Sequence, residues 1–91
     1  MKKLTKRQLH LRYLHRSDAL GWIGAILLVA AFCLISFGIV EAREWTYQLM
    51  NLVGAILLTI NGVARKMYPS VATNIFWGII AIVILLSLLI N

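Results

Sequence analysis

Charged residues are scarce in this sequence: they make up 13% of its 91 residues, about half the share found in a soluble domain. They fall in three places, namely the first 18 positions, positions 41–44 and positions 65–66. Apolar residues make up 62% of the chain, which is more than a protein of this size can hide from water. We therefore expect much of its surface to face lipid or an apolar partner.

Reactive and ligating residues are equally few. Cys33 is the single cysteine, so an internal disulfide is excluded, and its apolar neighbours give no reason to expect a reactive thiolate. His10 and His15 have no further metal ligands near them in the sequence. The three acidic residues are not accompanied by a nucleophile or a base. The sequence predicts no enzyme activity, no metal and no cofactor.

Three uncharged stretches occupy about positions 19–40, 45–64 and 69–90. As helices they would be roughly 30–34 Å long, which matches a bilayer core of about 30 Å. Helices also satisfy their own backbone hydrogen bonds in lipid. The sequence thus predicts an all-α membrane protein with three transmembrane helices, short turns and antiparallel neighbours.

The first 17 residues form a separate basic segment ahead of a transmembrane domain at 18–91. Two interpretations of this segment stay open: a disordered cytoplasmic tail, or a helix lying on the inner leaflet, since Leu4, Leu11 and Leu14 can share one face. Ser17 and Asp18 are expected to cap the first transmembrane helix.

Basic residues predict the orientation of the chain. The N-terminal segment carries six and the second turn two, whereas the first turn carries one and the C-terminus none. The positive-inside rule places the N-terminus and the second turn in the cytoplasm and the C-terminus outside. The net charge of +6 indicates contact with anionic lipid headgroups rather than nucleic acid. The expected contacts are Lys2, Lys3, Lys6, Arg7, Arg12, Arg16, Arg65 and Lys66.

Small and uncharged polar residues form one stripe on each predicted helix. Such stripes let membrane helices approach, and their amides can bond between helices. We interpret them first as packing or self-association surfaces of a homo-oligomer. The alternative is a half-size transporter or channel subunit in which Asn51 and Asn74, with Trp77, line a cavity for a neutral solute. The candidate residues are Gly21, Gly24, Gln48, Asn51, Gly54, Asn74, Trp77 and Gly78.

Three segments carry a family resemblance: DALGWIGAILLVAAF (18–32), YQLMNLVGAILLTING (47–62) and PSVATNIFWGIIAI (69–82). They resemble the CBU-like domain, a family of small bacterial three-helix membrane proteins of uncharacterised function. The resemblance implies a three-helix fold in a bacterial inner membrane and no particular activity. The matching positions are Gly21, Gly24, Tyr47, Asn51, Gly54, Pro69, Asn74 and Trp77.

Overall fold

A computed structural model describes residues 3–90. Within that range the secondary structure consists of three helices without strands, which confirms the predicted all-α class: α1 (Lys6–Ser36), α2 (Trp45–Ala64) and α3 (Tyr68–Ile90). Each helix is long and apolar enough to cross a membrane. Lys2, predicted to contact lipid, and the C-terminal Asn91 lie outside the described residues.

The first helix begins earlier than the uncharged stretch that predicted it. Thr5 caps α1: its Oγ1 accepts from the Gln8 backbone N–H (3.2 Å), and Gln8 Oε1 accepts from the Thr5 N–H (2.9 Å). This reciprocal pair is a capping box. Residues 6–16 are therefore helical and continuous with the apolar part of α1. The expectation that Ser17 and Asp18 cap the helix is wrong, because the cap forms at Thr5 and both residues lie inside α1.

The first helix also ends before the uncharged stretch does. Gly38 has a φ of +72°, and the Ile39 N–H donates to the Leu34 carbonyl at 2.9 Å. This is the Schellman arrangement, in which a glycine in the left-handed region turns the chain off the helix axis. Residues 37–40, which the sequence placed in the first span, consequently belong to the connection between α1 and α2.

The second helix ends in the same geometry without a glycine. Lys66 has a φ of 58°, and the Met67 N–H donates to the Gly62 carbonyl at 2.8 Å. A left-handed conformation costs an L-residue about 1–2 kcal/mol. The turn between α2 and α3 is thus short and carries some backbone strain at Lys66.

The second helix lies in the middle of the fold. α1 and α3 each pack against α2, and within residues 3–90 no Cα atom of α1 lies within 8 Å of a Cα atom of α3. The buried apolar residues are small for the most part, and most large apolar side chains are exposed. The core consists of Ala31, Ala55, Ala81 and Leu85. Packing here depends on close backbone approach rather than on large interlocking side chains.

Candidate functional site

Glycines set the distance between α1 and α2. A Cβ atom added to Gly24 would lie 2.8 Å from the Gly54 carbonyl oxygen, and one added to Gly54 would lie 3.0 Å from the Gly24 carbonyl oxygen. In both cases an obstructing atom is a backbone oxygen, which cannot rotate away as a side chain can. The two glycines therefore permit a helix–helix contact that any larger residue would force apart.

A polar cluster joins the same two helices nearer the start of α1. We call it the Asp18 cluster, and it comprises Ser17, Asp18, Asn61 and Arg65. Asn61 Nδ2 donates to Asp18 Oδ1 at 2.9 Å and approaches Ser17 Oγ at 3.3 Å. Arg65 Nε donates to the same Oδ1 at 3.0 Å, while Arg65 Nη2 pairs with Asp18 Oδ2. Three interhelical contacts to one carboxylate thus connect α1 with the C-terminal end of α2.

Gly21 makes room for this cluster. A Cβ atom at position 21 would lie 2.5 Å from Asn61 Oδ1 and 2.9 Å from Asn61 Cβ. The Asn61 side chain therefore lies directly against the Gly21 backbone. Gly21 thus leaves space for a polar side chain, whereas Gly24 leaves space for the backbone of the neighbouring helix.

The ion pair in the Asp18 cluster is accessible. The Arg65 and Asp18 side chains are 39% and 35% exposed, so solvent or a polar ligand can reach both. The hydrogen bond to Asp18 raises the pKa of the Arg65 guanidinium above its ordinary value, while burial opposes that rise. Arg65 is accordingly a permanent cation at this position.

Two grooves run on from the Asp18 cluster along α1. The first, which we call the headgroup crevice, has a volume of about 300 Å³ and is lined by Asp18, Gly21, Trp22, Ala25, Leu58 and Asn61. The second, which we call the α1 groove, has about 320 Å³ and an almost wholly apolar lining of Trp22, Ala25, Ile26, Val29 and Ala30. Trp22 and Ala25 line both, so the two are continuous, and Asp18 and Asn61 are the polar residues of the first.

The contact between α2 and α3 is looser at Gly78. A Cβ atom at Gly78 would meet Ala55 Cβ at 3.8 Å, an ordinary van der Waals distance. Beside this contact lies a groove of about 300 Å³, which we call the α2/α3 groove. Its wall is almost entirely apolar and contains Leu52, Ala55, Ile56, Thr59, Ile60, Asn74, Ile75, Gly78, Ile79 and Ile82.

The two asparagines proposed to share a cavity lie in different places. Asn51 lines a crevice of about 380 Å³ together with Leu28, Phe32, Tyr47 and Trp77. Asn74 is buried beside the α2/α3 groove, and its Nδ2 donates to the Ser70 carbonyl at 2.9 Å within its own helix. The structure therefore brings Trp77 to Asn51 and leaves Asn74 apart.

The remaining predicted residues are placed as follows. Gln48 is buried and its Nε2 donates to the Ala42 carbonyl at 2.5 Å, which fixes the connection before α2. The predicted lipid-contacting residues between positions 3 and 16 are exposed. Arg65 differs from them because its side chain pairs with Asp18. Over residues 3–90, no group of three metal-ligating side chains occurs.

Sequence reasoning missed the Asp18 cluster. It treated Asp18 as a cap and Arg65 as a lipid contact, and it did not include Asn61 among the candidate residues. The sequence did contain a usable signal. Asp18 comes just before the apolar part of α1, and Arg65 comes just after α2, the next helix along the chain. Opposite charges at such positions meet when the helices lie side by side.

Comparison with known proteins gives one family match. The model of an uncharacterised family covers residues 17–91. The match includes all three apolar helical segments and the whole Asp18 cluster, and it excludes the basic residues at the start of α1. No curated protein and no solved structure matches the chain significantly.

Proposed function

The chain belongs to the CBU-like domain family, and we propose that it is a three-pass protein of the bacterial inner membrane that associates with further copies of itself. Support for insertion comes from its surface: large side chains such as Ile26, Phe32 and Val83 are more than half exposed on helices of membrane-spanning length. Such an apolar exterior is unfavourable in water and favourable in lipid.

The order of the contacts supports antiparallel neighbours. Gly21 lies against Asn61 and Gly24 against Gly54, so residue numbers along α2 decrease as those along α1 increase. The same holds between α2 and α3, where Gly62 lies against Val71 and Gly78 against Ala55. With the basic N-terminus in the cytoplasm, the Asp18 cluster lies at the inner membrane boundary and the C-terminus outside.

Reporter fusions test this orientation. A reporter active only outside the cytoplasm should be active when fused after Asn91 and silent when fused after Lys66. A cytoplasm-specific reporter at the same two positions serves as the matched control and should give the reverse result. Activity of the first reporter after Lys66 would contradict the proposed orientation.

Self-association is proposed to use the α2/α3 groove. Ala55 and Gly78 are buried and pack against each other within one chain, whereas isoleucines such as Ile79 line the groove and are exposed. A helix of a second copy can therefore pack against these isoleucines, and close van der Waals packing is what drives membrane helices together. The observation that carries the proposal is this apolar groove on the face of α2 and α3 where α1 does not pack.

Cysteine cross-linking in native membranes tests the groove. In a Cys33→Ala background, Ile79→Cys should form an oxidant-dependent dimer, because a two-fold interface brings equivalent residues together. Val83→Cys is the matched control: Val83 is similarly exposed on α3 but does not line the groove. Equal cross-linking at both positions, or none at Ile75, Ile79 and Ile82, would contradict the proposal.

The second candidate function is a half-size transporter or channel subunit. It is favoured by the crevice at Asn51, where aromatic side chains surround one amide, as is common in small-molecule sites. Asn51→Cys in the Cys33→Ala background should then react with a water-soluble thiol reagent, and a transported neutral solute should block the reaction. Asn74→Cys is the control and should stay unlabelled. Labelling at position 51 that no solute blocks would show only that this position is accessible to water, and it would contradict the transporter interpretation.

A further inference from the structure

The Asp18 cluster retains hydrogen-bond acceptors after its internal contacts are made. Among residues 3–90, Asp18 Oδ2 accepts only from Arg65, and Asn61 Oδ1 accepts no hydrogen bond. Both residues line the headgroup crevice. A carboxylate oxygen offers two lone pairs and an amide oxygen offers two. The crevice therefore presents acceptors of negative character to a donor entering from outside.

An aromatic residue also lines the crevice. Trp22 follows Asp18 by about one turn of α1 and is 73% exposed. An indole face attracts cations within about 6 Å of the ring centroid. An ammonium group fits this combination, since it carries three donors and a positive charge. A neutral donor could bond to the carboxylate but would lack the charge that the ring attracts.

A cation pairs with the carboxylate that lines the crevice. The Arg65 guanidinium is 39% exposed beside the Asp18 carboxylate. A ligand with an ammonium and a phosphate a few bonds apart could meet Asp18 with the first and Arg65 with the second. Arginine is well suited to phosphate because its planar fork offers several donors.

The apolar end of the ligand is indicated by the α1 groove. It begins at Trp22 and Ala25, where the headgroup crevice ends, and continues past Ile26 and Val29 to Ala30. Eight residues of helix rise give about 12 Å, enough for a large part of an acyl chain. Alanines between bulkier neighbours provide the depression in which such a chain can lie.

We propose that the headgroup crevice and the α1 groove together bind one phospholipid with a primary-ammonium headgroup, of the phosphatidylethanolamine class. Its ammonium contacts Asp18, Asn61 and the Trp22 ring, its phosphate contacts Arg65, and an acyl chain follows α1. Charge complementarity favours this occupant over an anionic lipid, because Arg65 is already paired with Asp18 and a headgroup lacking an ammonium would add a negative charge there without a second positive one. The inference rests on the proposed membrane insertion with the Asp18 cluster at the membrane boundary.

Tryptophan quenching by lipids brominated on the acyl chains tests the proposal. The reporter variant carries Trp45→Phe and Trp77→Phe, so that only Trp22 fluoresces. It is reconstituted into phosphatidylcholine vesicles containing equal fractions of brominated phosphatidylethanolamine, phosphatidylglycerol or phosphatidylcholine. Brominated phosphatidylethanolamine should bind at Trp22 at least about threefold more strongly than the other two, because only its headgroup carries an ammonium that can donate hydrogen bonds to Asp18 and Asn61. A ratio of this size is within reach of one additional hydrogen bond.

The matched control is the variant with Trp22→Phe and Trp45→Phe, which reports from Trp77 on α3. It should be quenched equally by the three lipids, because Trp77 does not line the headgroup crevice. Absence of quenching at Trp77 by any lipid would show that insertion itself has failed, which distinguishes failure of the proposed function from failure of this site.

Two further substitutions in the Trp22 reporter locate the preference. Asp18→Asn should abolish it by removing the negative charge. Ala25→Leu should also abolish it by filling the crevice, while leaving the Asp18–Arg65 pair in place. Far-ultraviolet circular dichroism confirms that each variant keeps its helices.

Three results would overturn the proposal. Equal or stronger quenching by phosphatidylglycerol would show that general attraction of anionic lipid governs the site. Equal quenching by phosphatidylcholine would show that hydrogen bonds from a primary ammonium play no part. A preference that survives both substitutions would place the lipid elsewhere.

Discussion

The two helix contacts of this protein are built differently. Between α1 and α2, Gly24 and Gly54 bring backbone against backbone and the Asp18 cluster adds interhelical polar contacts. Between α2 and α3, a Cβ atom at Gly78 would meet Ala55 at an ordinary van der Waals distance, and one at Gly62 would lie 2.7 Å from the Val71 side chain rather than from backbone. The difference teaches that glycine content alone does not locate a tight helix contact, because the space opposite the glycine decides whether a side chain is tolerated.

The largest expected effect comes from the tight contact. Gly24→Ala should destabilise the protein by about 1–3 kcal/mol, the usual cost of overpacking, because the new Cβ would meet the Gly54 carbonyl oxygen at 2.8 Å. Gly78→Ala is the matched control. It should change stability by less than about 1 kcal/mol and in the stabilising direction, since alanine is the better helix former. Unfolding in mixed micelles followed by circular dichroism measures both. Similar losses of stability in the two variants would contradict the proposed difference between the two helix contacts.

A smaller effect is expected from the two buried or half-buried amides. Asn61→Ala removes interhelical bonds to Ser17 and Asp18 and should cost about 0.6–2 kcal/mol, the range for such bonds in membrane proteins. Asn74→Ala should cost less, because its amide bonds within α3 to Ser70. The same unfolding assay compares them. A larger loss for Asn74→Ala would indicate that its amide also has an interhelical partner.

The smallest effects are expected in the turns that follow α1 and α2. Gly38→Ala should destabilise by about 1 kcal/mol, because the φ of +72° is unfavourable for alanine while the space around it is open. Lys66→Gly should instead stabilise, by no more than about 1 kcal/mol, since relief of the left-handed strain is partly offset by the flexibility of glycine. Shifts in the thermal midpoint would measure both, and a destabilised Lys66→Gly variant would show that the Lys66 side chain contributes more than its backbone strain costs.

Helix number and the bounds of α2 follow closely from the sequence, because the absence of charge over 20 residues is a strong physical signal. The ends of α1 were harder to predict. A polar capping box at Thr5 and Gln8 extends the helix through the basic segment, and Gly38 ends it inside an apolar run. Hydropathy is insensitive to both, since capping and backbone conformation are local effects.

The candidate sites were predictable only in part. The small-residue stripes are visible in the helical spacing of Gly21, Gly24 and Gly54. Which helix each stripe faces, however, depends on tertiary packing. Asn51 and Asn74 look equivalent in sequence, yet one lines an open crevice and the other bonds within its own helix. The Asp18–Arg65 pair required the register of α1 against α2, which no periodicity supplies.

We propose that the α1/α2 contact holds each chain together while the α2/α3 groove joins chains to each other. Native mass measurement of the detergent-solubilised protein tests it most directly. The unmodified chain and Val83→Trp should give the mass of an oligomer, whereas Ile79→Trp, which fills the groove rim, should give a folded monomer. A monomeric unmodified chain, or an Ile79→Trp variant whose mass equals that of the unmodified oligomer, would contradict the account.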